Sequence, residues 1–192
     1  MIIEHNRSAR VSKYFLLYML ISFLGWLWET LYMYFLTGQY HDRGFLTLPF
    51  CPIYATVLLS CYFLLGSIDE GRGILRRVES TGARALIYLC LSFVLPTLAE
   101  IFVGAFFYEL LGIRLWDYSN MDYNTGGYVA LEISTFWCIA IFLFMNKVFP
   151  YIKRLVFRIP DRVSTVLSVM TAFAVMVDIV VIIFKMSSAG VF

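Results

Sequence analysis

Residues 41–54, HDRGFLTLPFCPIY, lie between two long apolar runs and decide how the rest of the chain is read. The stretch holds Arg43 and Gly44, the quartet Pro49-Phe50-Cys51-Pro52 and six large apolar side chains, so it is too apolar for an ordinary loop. Its two prolines forbid a continuous helix, because each lacks an amide donor and restricts the residue before it. The expectation is a partly re-entrant segment that carries non-helical backbone, and Arg43 with it, into the outer half of a membrane protein. Such backbone is tolerated at membrane depth only where protein or a water-filled cavity covers it. A covered cavity is therefore expected beside it.

Composition agrees. Of 192 residues, 61% are hydrophobic and 15% charged, with a mean hydropathy of +0.80. A soluble domain carries about 25% charged residues. Here the charges fall between apolar runs, and a helix crosses a bilayer with about 20 residues. The class is all-α, a polytopic membrane protein forming a single transmembrane domain over residues 1–192. Five spans are predicted, at about 14–36, 50–66, 85–111, 128–148 and 163–185. Residues 1–13 read as a basic cytoplasmic lead-in. The first apolar run is too long for a cleaved signal peptide and holds Glu29.

Orientation follows from Lys and Arg. With the N-terminus inside, twelve of the fifteen fall on inner segments, and only Arg43, Arg114 and Lys185 fall outside. Five spans then run N-in, C-out. The acids do the reverse: eight of thirteen are outside, giving a net charge of +7 inside and −5 outside. This reads as a multi-pass protein of a cytoplasmic membrane.

Four of the outer acids, Glu29, Glu100, Glu132 and Asp178, sit within spans, each on a different helix and at similar depth. A charged side chain near the bilayer centre costs about 2.5–3.5 kcal/mol even on the gentler scale. Four unpaired would cost about 10 kcal/mol, as much as a domain's stability. They must be protonated, hydrated or paired, and Arg43 is the expected partner of one or two. Asp178 has Lys185 or backbone within reach. Ser22, Gly25, Trp26 and Glu29 share one face of the first span. In the third span Pro96 is expected to kink the helix beneath Thr97 and Glu100. In the loop that follows, Trp116 suits the interface.

Other chemistry is not signalled. Cys51, Cys61, Cys90 and Cys138 are scattered, so neither a zinc site nor a disulfide framework is indicated. There is no GxxxxGK[ST], HExxH or GxSxG. We expect no metal, no cofactor and no nucleic-acid partner, and assign no catalytic residue.

Several motifs stand together in order: FLGWLWE (23–29), RGFLTLPFCPIY (43–54), TLAE (97–100), WDYS (116–119) and Gly126 with Gly127. Over residues 15–145 the chain resembles the bacterial ABC-transporter type IV permeases, small integral membrane proteins. The resemblance implies a permease, one half of a transporter with a separate ATPase. Its motif residues include Glu29, Arg43, Pro49, Cys51, Pro52, Glu100, Trp116 and Asp117.

The leading function is thus a transport component with an acidic, outward-facing cavity that suits a cationic or amphipathic substrate, or proton coupling. Glu29, Arg43, Glu100, Asp117, Trp26, Trp116, Cys51, Glu132 and Asp178 are its expected lining. The basic segments 67–84 and 147–163 are the expected ATPase docking surface, lipid surrounds the spans, and a homodimer would supply helices enough for a pathway. Two other readings stay open: a membrane-embedded enzyme acting on a lipid or isoprenoid headgroup, and a scaffold whose acids only lock helices together. The reading leans away from an enzyme.

Overall fold

The computed structural model describes residues 2–40, 44–66 and 73–188, with side chains from residue 7 onward. It is nearly all-α. The elements are α1 (Ile2–Thr37), α2 (Pro52–Leu65), α3 (Thr81–Leu111), a two-residue hairpin of β1 (Asn124–Thr125) and β2 (Val129–Ala130), α4 (Leu131–Leu143), α5 (Phe149–Phe157) and α6 (Asp161–Ser188). A π-helical turn, Phe144–Val148, joins α4 to α5, so Leu131–Phe157 is one helical stretch. A 3-10 turn, Gly73–Arg77, precedes α3.

Among the described residues, four helices are long and apolar enough to cross a membrane: Arg7–Thr37, Thr81–Leu111, Leu131–Phe157 and Asp161–Ser188. The predicted second span corresponds to α2, which has 14 residues and is shorter than that standard. Boundaries shift elsewhere. The basic lead-in is part of α1, whose 36 residues extend about 54 Å at 1.5 Å per residue. The third span starts at Thr81, where the Ser80 side chain caps the amide of Ala83. Its end is fixed at Gly112 by a left-handed backbone with amides reaching back to Phe107 and Tyr108. The helix runs through Pro96 unbroken, with Pro96 buried.

The fourth span also differs. Residues 128–130 belong to the hairpin side, and the helix continues past 148 into a segment expected to be a loop. Pro150 explains the π turn. It has no amide donor, and its ring would crowd the carbonyl of Asn146 in a regular helix. One extra residue in the turn relieves this, and the Phe149 amide bonds the Phe144 carbonyl five residues back.

The chain divides into two compact units, Met1–Ala55 with Tyr151–Phe192, and Thr56–Pro150. In the first, α1 packs on α6. The packed stripe of α6 is Ser164, Ser168, Thr171, Val175, Asp178 and Ile182, spaced alternately by four and three residues. That is the seam of two helices winding side by side. Small hydroxyl residues let the backbones approach, and the Ser168 hydroxyl donates to the Ser12 carbonyl at 2.9 Å. Lys13 Nζ lies 2.6 Å from Asp161 Oδ1 in the first turn of α6. It also donates to the Phe157 carbonyl at 3.4 Å, at the C-terminal end of α5. Each charge is on the helix end that its sign favours.

In the second unit, α3 packs against α4, and the buried residues of α3, Tyr88, Ser92, Pro96 and Gly104, lie in one row at multiples of four residues. Tyr88 meets Phe142 edge-on at 5.9 Å, and Cys138 Sγ donates to the Leu89 carbonyl at 3.2 Å. A Cβ on Gly104 would lie 2.9 Å from Tyr128 Cδ1, so only glycine admits that ring.

The first unit has a matching notch at Gly25, where a Cβ would fall 2.4 Å from Tyr54 Cγ. Gly25→Ala is expected to cost about 1–3 kcal/mol by overpacking, read as a lower Tm in detergent. In a Tyr54→Ala background the same change should cost much less. An equal loss in both backgrounds would show that the ring is not what the glycine accommodates.

Candidate functional site

Segment 44–51 begins from an unusual position. Cys51, at its end, donates its amide to the Ser22 carbonyl at 3.0 Å. Ser22 lies fifteen residues before the end of α1 at Thr37, about 22 Å along the helix axis. The chain between Thr37 and Pro52 therefore doubles back along α1 as far as the middle of its apolar stretch. Residues 44–51 lie there without helix or strand.

Its polar backbone needs partners there, since an unsatisfied amide in hydrocarbon costs several kcal/mol. Three are visible. The Cys51 amide has the Ser22 carbonyl. The Phe50 amide closes a tight turn onto the Leu48 carbonyl at 2.7 Å. The Leu48 amide donates to Asp178 Oδ2 at 3.0 Å, across to α6. Asp178 is 8% exposed and sits on the packed stripe of α6. So this acid faces α1 and the segment, and its partner is a backbone amide, one of the two expected possibilities.

The start of α2 is held in the same way. The Tyr54 ring fills the notch over Gly25, and its hydroxyl donates to Glu29 Oε1 at 2.7 Å. A helix side chain leans toward its own N-terminus, which sends Tyr54 toward Glu29, two turns above Ser22 on α1. Tyr18 adds a hydroxyl bond to the Pro52 carbonyl at 3.3 Å. Trp26 stacks on Phe23 at 5.9 Å and borders Gly44. Cys51 is buried. Glu29, Trp26, Cys51 and Asp178 thus belong to one neighbourhood. Arg43, the expected cation, lies outside the described residues.

The remaining expected residues lie in the second unit. Glu100 is half-buried and continues the Tyr88, Ser92, Pro96 row by one further turn. Glu132 is exposed in the first turn of α4, where the helix N-terminus favours a carboxylate. Trp116 donates from Nε1 to the Tyr128 carbonyl at 2.8 Å and lies against Gly104. It pins the loop that follows α3 back onto that helix.

Asp117 accepts the Ser119 amide at 2.9 Å and pairs with Arg114 at 2.7 Å. The Ser119 side chain and amide, then Arg114, hold its carboxyl down at about 2. Asp117 raises the Arg114 pKa in return, through their hydrogen bond. The Arg114 guanidinium also lies 5.0 Å over the Tyr108 ring. Asp117 is thereby a turn-forming residue of the loop. Among the described residues, no three His, Cys, Asp or Glu side chains gather to hold a metal ion.

The family model described as "Putative ABC-transporter type IV" matches residues 16–183. The chain belongs to the ABC-transporter type IV family. No curated protein and no solved structure matches it. The motifs that carry the family resemblance acquire physical roles. FLGWLWE supplies the notch and the carboxylate, RGFLTLPFCPIY supplies the segment and the ring that enter them, and WDYS forms the loop pinned over Gly104. The sequence reading did not single out Tyr54, Leu48 or Ser22 as contact residues. Ser22 and Gly25, sharing a face with Glu29, were the available signal.

The Asp117 carboxyl is depressed on folding, so its contribution to loop stability is present above its unfolded value of about 3.9 and is lost as pH falls through about 2. In a carboxyl chemical-shift titration, Asp117 should have its midpoint near about 2. A midpoint near about 4, as in an unfolded chain, would show that the Ser119 and Arg114 bonds do not form.

Proposed function

We propose that this protein is a permease subunit of an ABC-type transport system, with segment 44–51 bordering an outward-facing acidic cavity. The observation that carries the reading is non-helical backbone anchored at half the length of α1 between two helices. In transporters such interrupted backbone at membrane depth borders the substrate or coupling-ion site. Family membership supports the same direction.

Five crossings, N-in and C-out, are supported by a parity argument. The start of α1 is tied to the start of α6 through Lys13, Asp161, Ser12 and Ser168. Farther along, Ser22 and Asp178 are joined through segment 44–51. The two helices therefore run in the same direction. The chain between them must cross the membrane an odd number of times. If α3 and Leu131–Phe157 each cross once, the segment and α2 together supply the third crossing. The lengths suffice: about 22 Å of descent to Cys51, then about 21 Å from the 14 residues of α2, against a core of about 30 Å.

On this reading Arg43 serves the acids near the segment, and in the second unit Glu100, with Glu132 and Trp116, faces an outward opening. The inner surfaces 67–84 and 147–163 would receive the ATPase, the second largely as helix α5 and the turn after it. A homodimer would enclose the pathway. A scaffold is the competing reading, favoured by the fact that Glu29 is engaged with Tyr54 of α2 and Asp178 with the segment.

Cysteines placed at Glu29 and Glu100, in a background lacking the four native ones, separate these readings. In sealed cells an outward acidic cavity should let a cationic thiol reagent label both sites about tenfold faster than an anionic one, the enrichment a charged cleft produces. No labelling at either position would refute the cavity and leave the scaffold.

A further inference from the structure

We propose that Arg154, Arg158 and Arg162, with Tyr151 and Leu155 beside them, form a binding face for the headgroup of an anionic phospholipid. The proposal goes beyond the permease reading and does not depend on it.

Depth decides which surroundings this face meets. Residues 163–184 of α6 carry Asp178 as their one charge and extend about 33 Å, which fills a hydrocarbon core of about 30 Å. Asp161 and Arg162 therefore lie at the edge of that core. Lys13 ties Phe157 to the same level, since its Nζ pairs with Asp161 and donates to the Phe157 carbonyl. The Phe157 ring meets Tyr14 edge-on at 5.1 Å. The end of α5 is thus held in the headgroup layer.

One face of that end is open. Tyr151, Arg154, Leu155 and Arg158 follow at the spacing of one helix face. The Arg158 amide bonds the Arg154 carbonyl at 3.2 Å, so the helical turn carries through to it. Tyr151 is 70% exposed and Leu155 64%, whereas Val156 is buried. The Arg154 guanidinium lies 5.9 Å over the Tyr151 ring. Arg162 is exposed in the first turn of α6. Among the described residues, none of the three arginines has an acid partner, and Asp161, the nearest acid in sequence, is engaged by Lys13 at 2.6 Å. Even with Glu4 of α1 counted in, Lys13, Lys153 and the three arginines outnumber the acids by five to two.

This combination selects the occupant. A tyrosine and a leucine open among guanidiniums are badly placed in water. At headgroup level they meet the start of the acyl chains, while the arginines reach outward along their own apolar stems. The surplus positive charge requires anions, and a guanidinium pairs with a phosphate through two parallel hydrogen bonds. An anionic phospholipid supplies the phosphate, the net charge and the apolar contact together, and basic pockets at the inner ends of membrane helices bind such headgroups. A zwitterionic lipid carries its own ammonium and leaves the surplus unmet.

Val163, 46% exposed and next to Arg162, is the reporter position. Val163→Cys is made in a chain whose native cysteines are replaced, labelled with a fluorophore and reconstituted in phosphatidylcholine bilayers. Quenching by spin-labelled phosphatidylglycerol is compared with quenching by spin-labelled phosphatidylcholine. The anionic lipid should quench at a severalfold lower mole fraction. Arg154→Gln, Arg158→Gln and Arg162→Gln together should bring the two lipids to parity. Arg76→Gln with Arg77→Gln removes two charges from another basic segment and should leave the preference in place. Equal quenching by both lipids in the parent overturns the proposal and leaves the face to a protein partner. A preference that survives the triple change, or that the Arg76 and Arg77 changes abolish equally, overturns it too, because charge in general would then be responsible. Should the triple change prevent folding, the single changes at Arg154 and Arg158 should each lower the preference, and no drop with either overturns the proposal.

Discussion

A backbone amide in hydrocarbon has no water to turn to. That constraint organises the first unit of this protein. Helices satisfy it internally, but two prolines prevent residues 49–52 from doing so. The segment must borrow acceptors from its neighbours. α1 lends a carbonyl at Ser22 and α6 lends the Asp178 carboxylate. An acid in the middle of an apolar helix is otherwise a liability. Here it supplies the acceptor for the Leu48 amide.

Packing follows from the same requirement. The segment and the start of α2 can approach α1 only because Gly25 has no side chain, and the Tyr54 ring that enters the notch brings a hydroxyl to Glu29. The stripe of Ser164, Ser168 and Thr171 lets α6 lie close to α1, which brings Asp178 within reach of Leu48. In the second unit the arrangement is repeated with different residues: Gly104 makes room for Tyr128 and Trp116, and the loop between α3 and α4 is held by its own bonds around Asp117 and Asn124.

Much of this was legible in the sequence because it depends on periodicity. The helical membrane class, most of the spans and the shared face of Ser22, Gly25 and Glu29 follow from residue type and spacing. The anomaly at residues 41–54 follows from its prolines. The Leu48 anchor was not legible, because every residue but proline carries an amide and nothing marks the one that is used. The Tyr54 bond to Glu29 depends on the rotation of α2, which composition does not set. Residues 147–163 read as a loop because they are charged, yet Lys and Arg are good helix formers and the helix passes Pro150 through a π turn. The short α2 was also hidden, since the apolar run around it includes residues that lie in the segment.

The central claim is one of depth: segment 44–51 lies beside the middle of α1. A nitroxide attached at Thr47, an exposed position of the segment, measures this directly through its collision rates with oxygen and with a water-soluble relaxant in bilayers. The account predicts a depth matching a nitroxide on the lipid face of α1 near Ser22. A depth matching one at Gly38, at the end of α1, would contradict it.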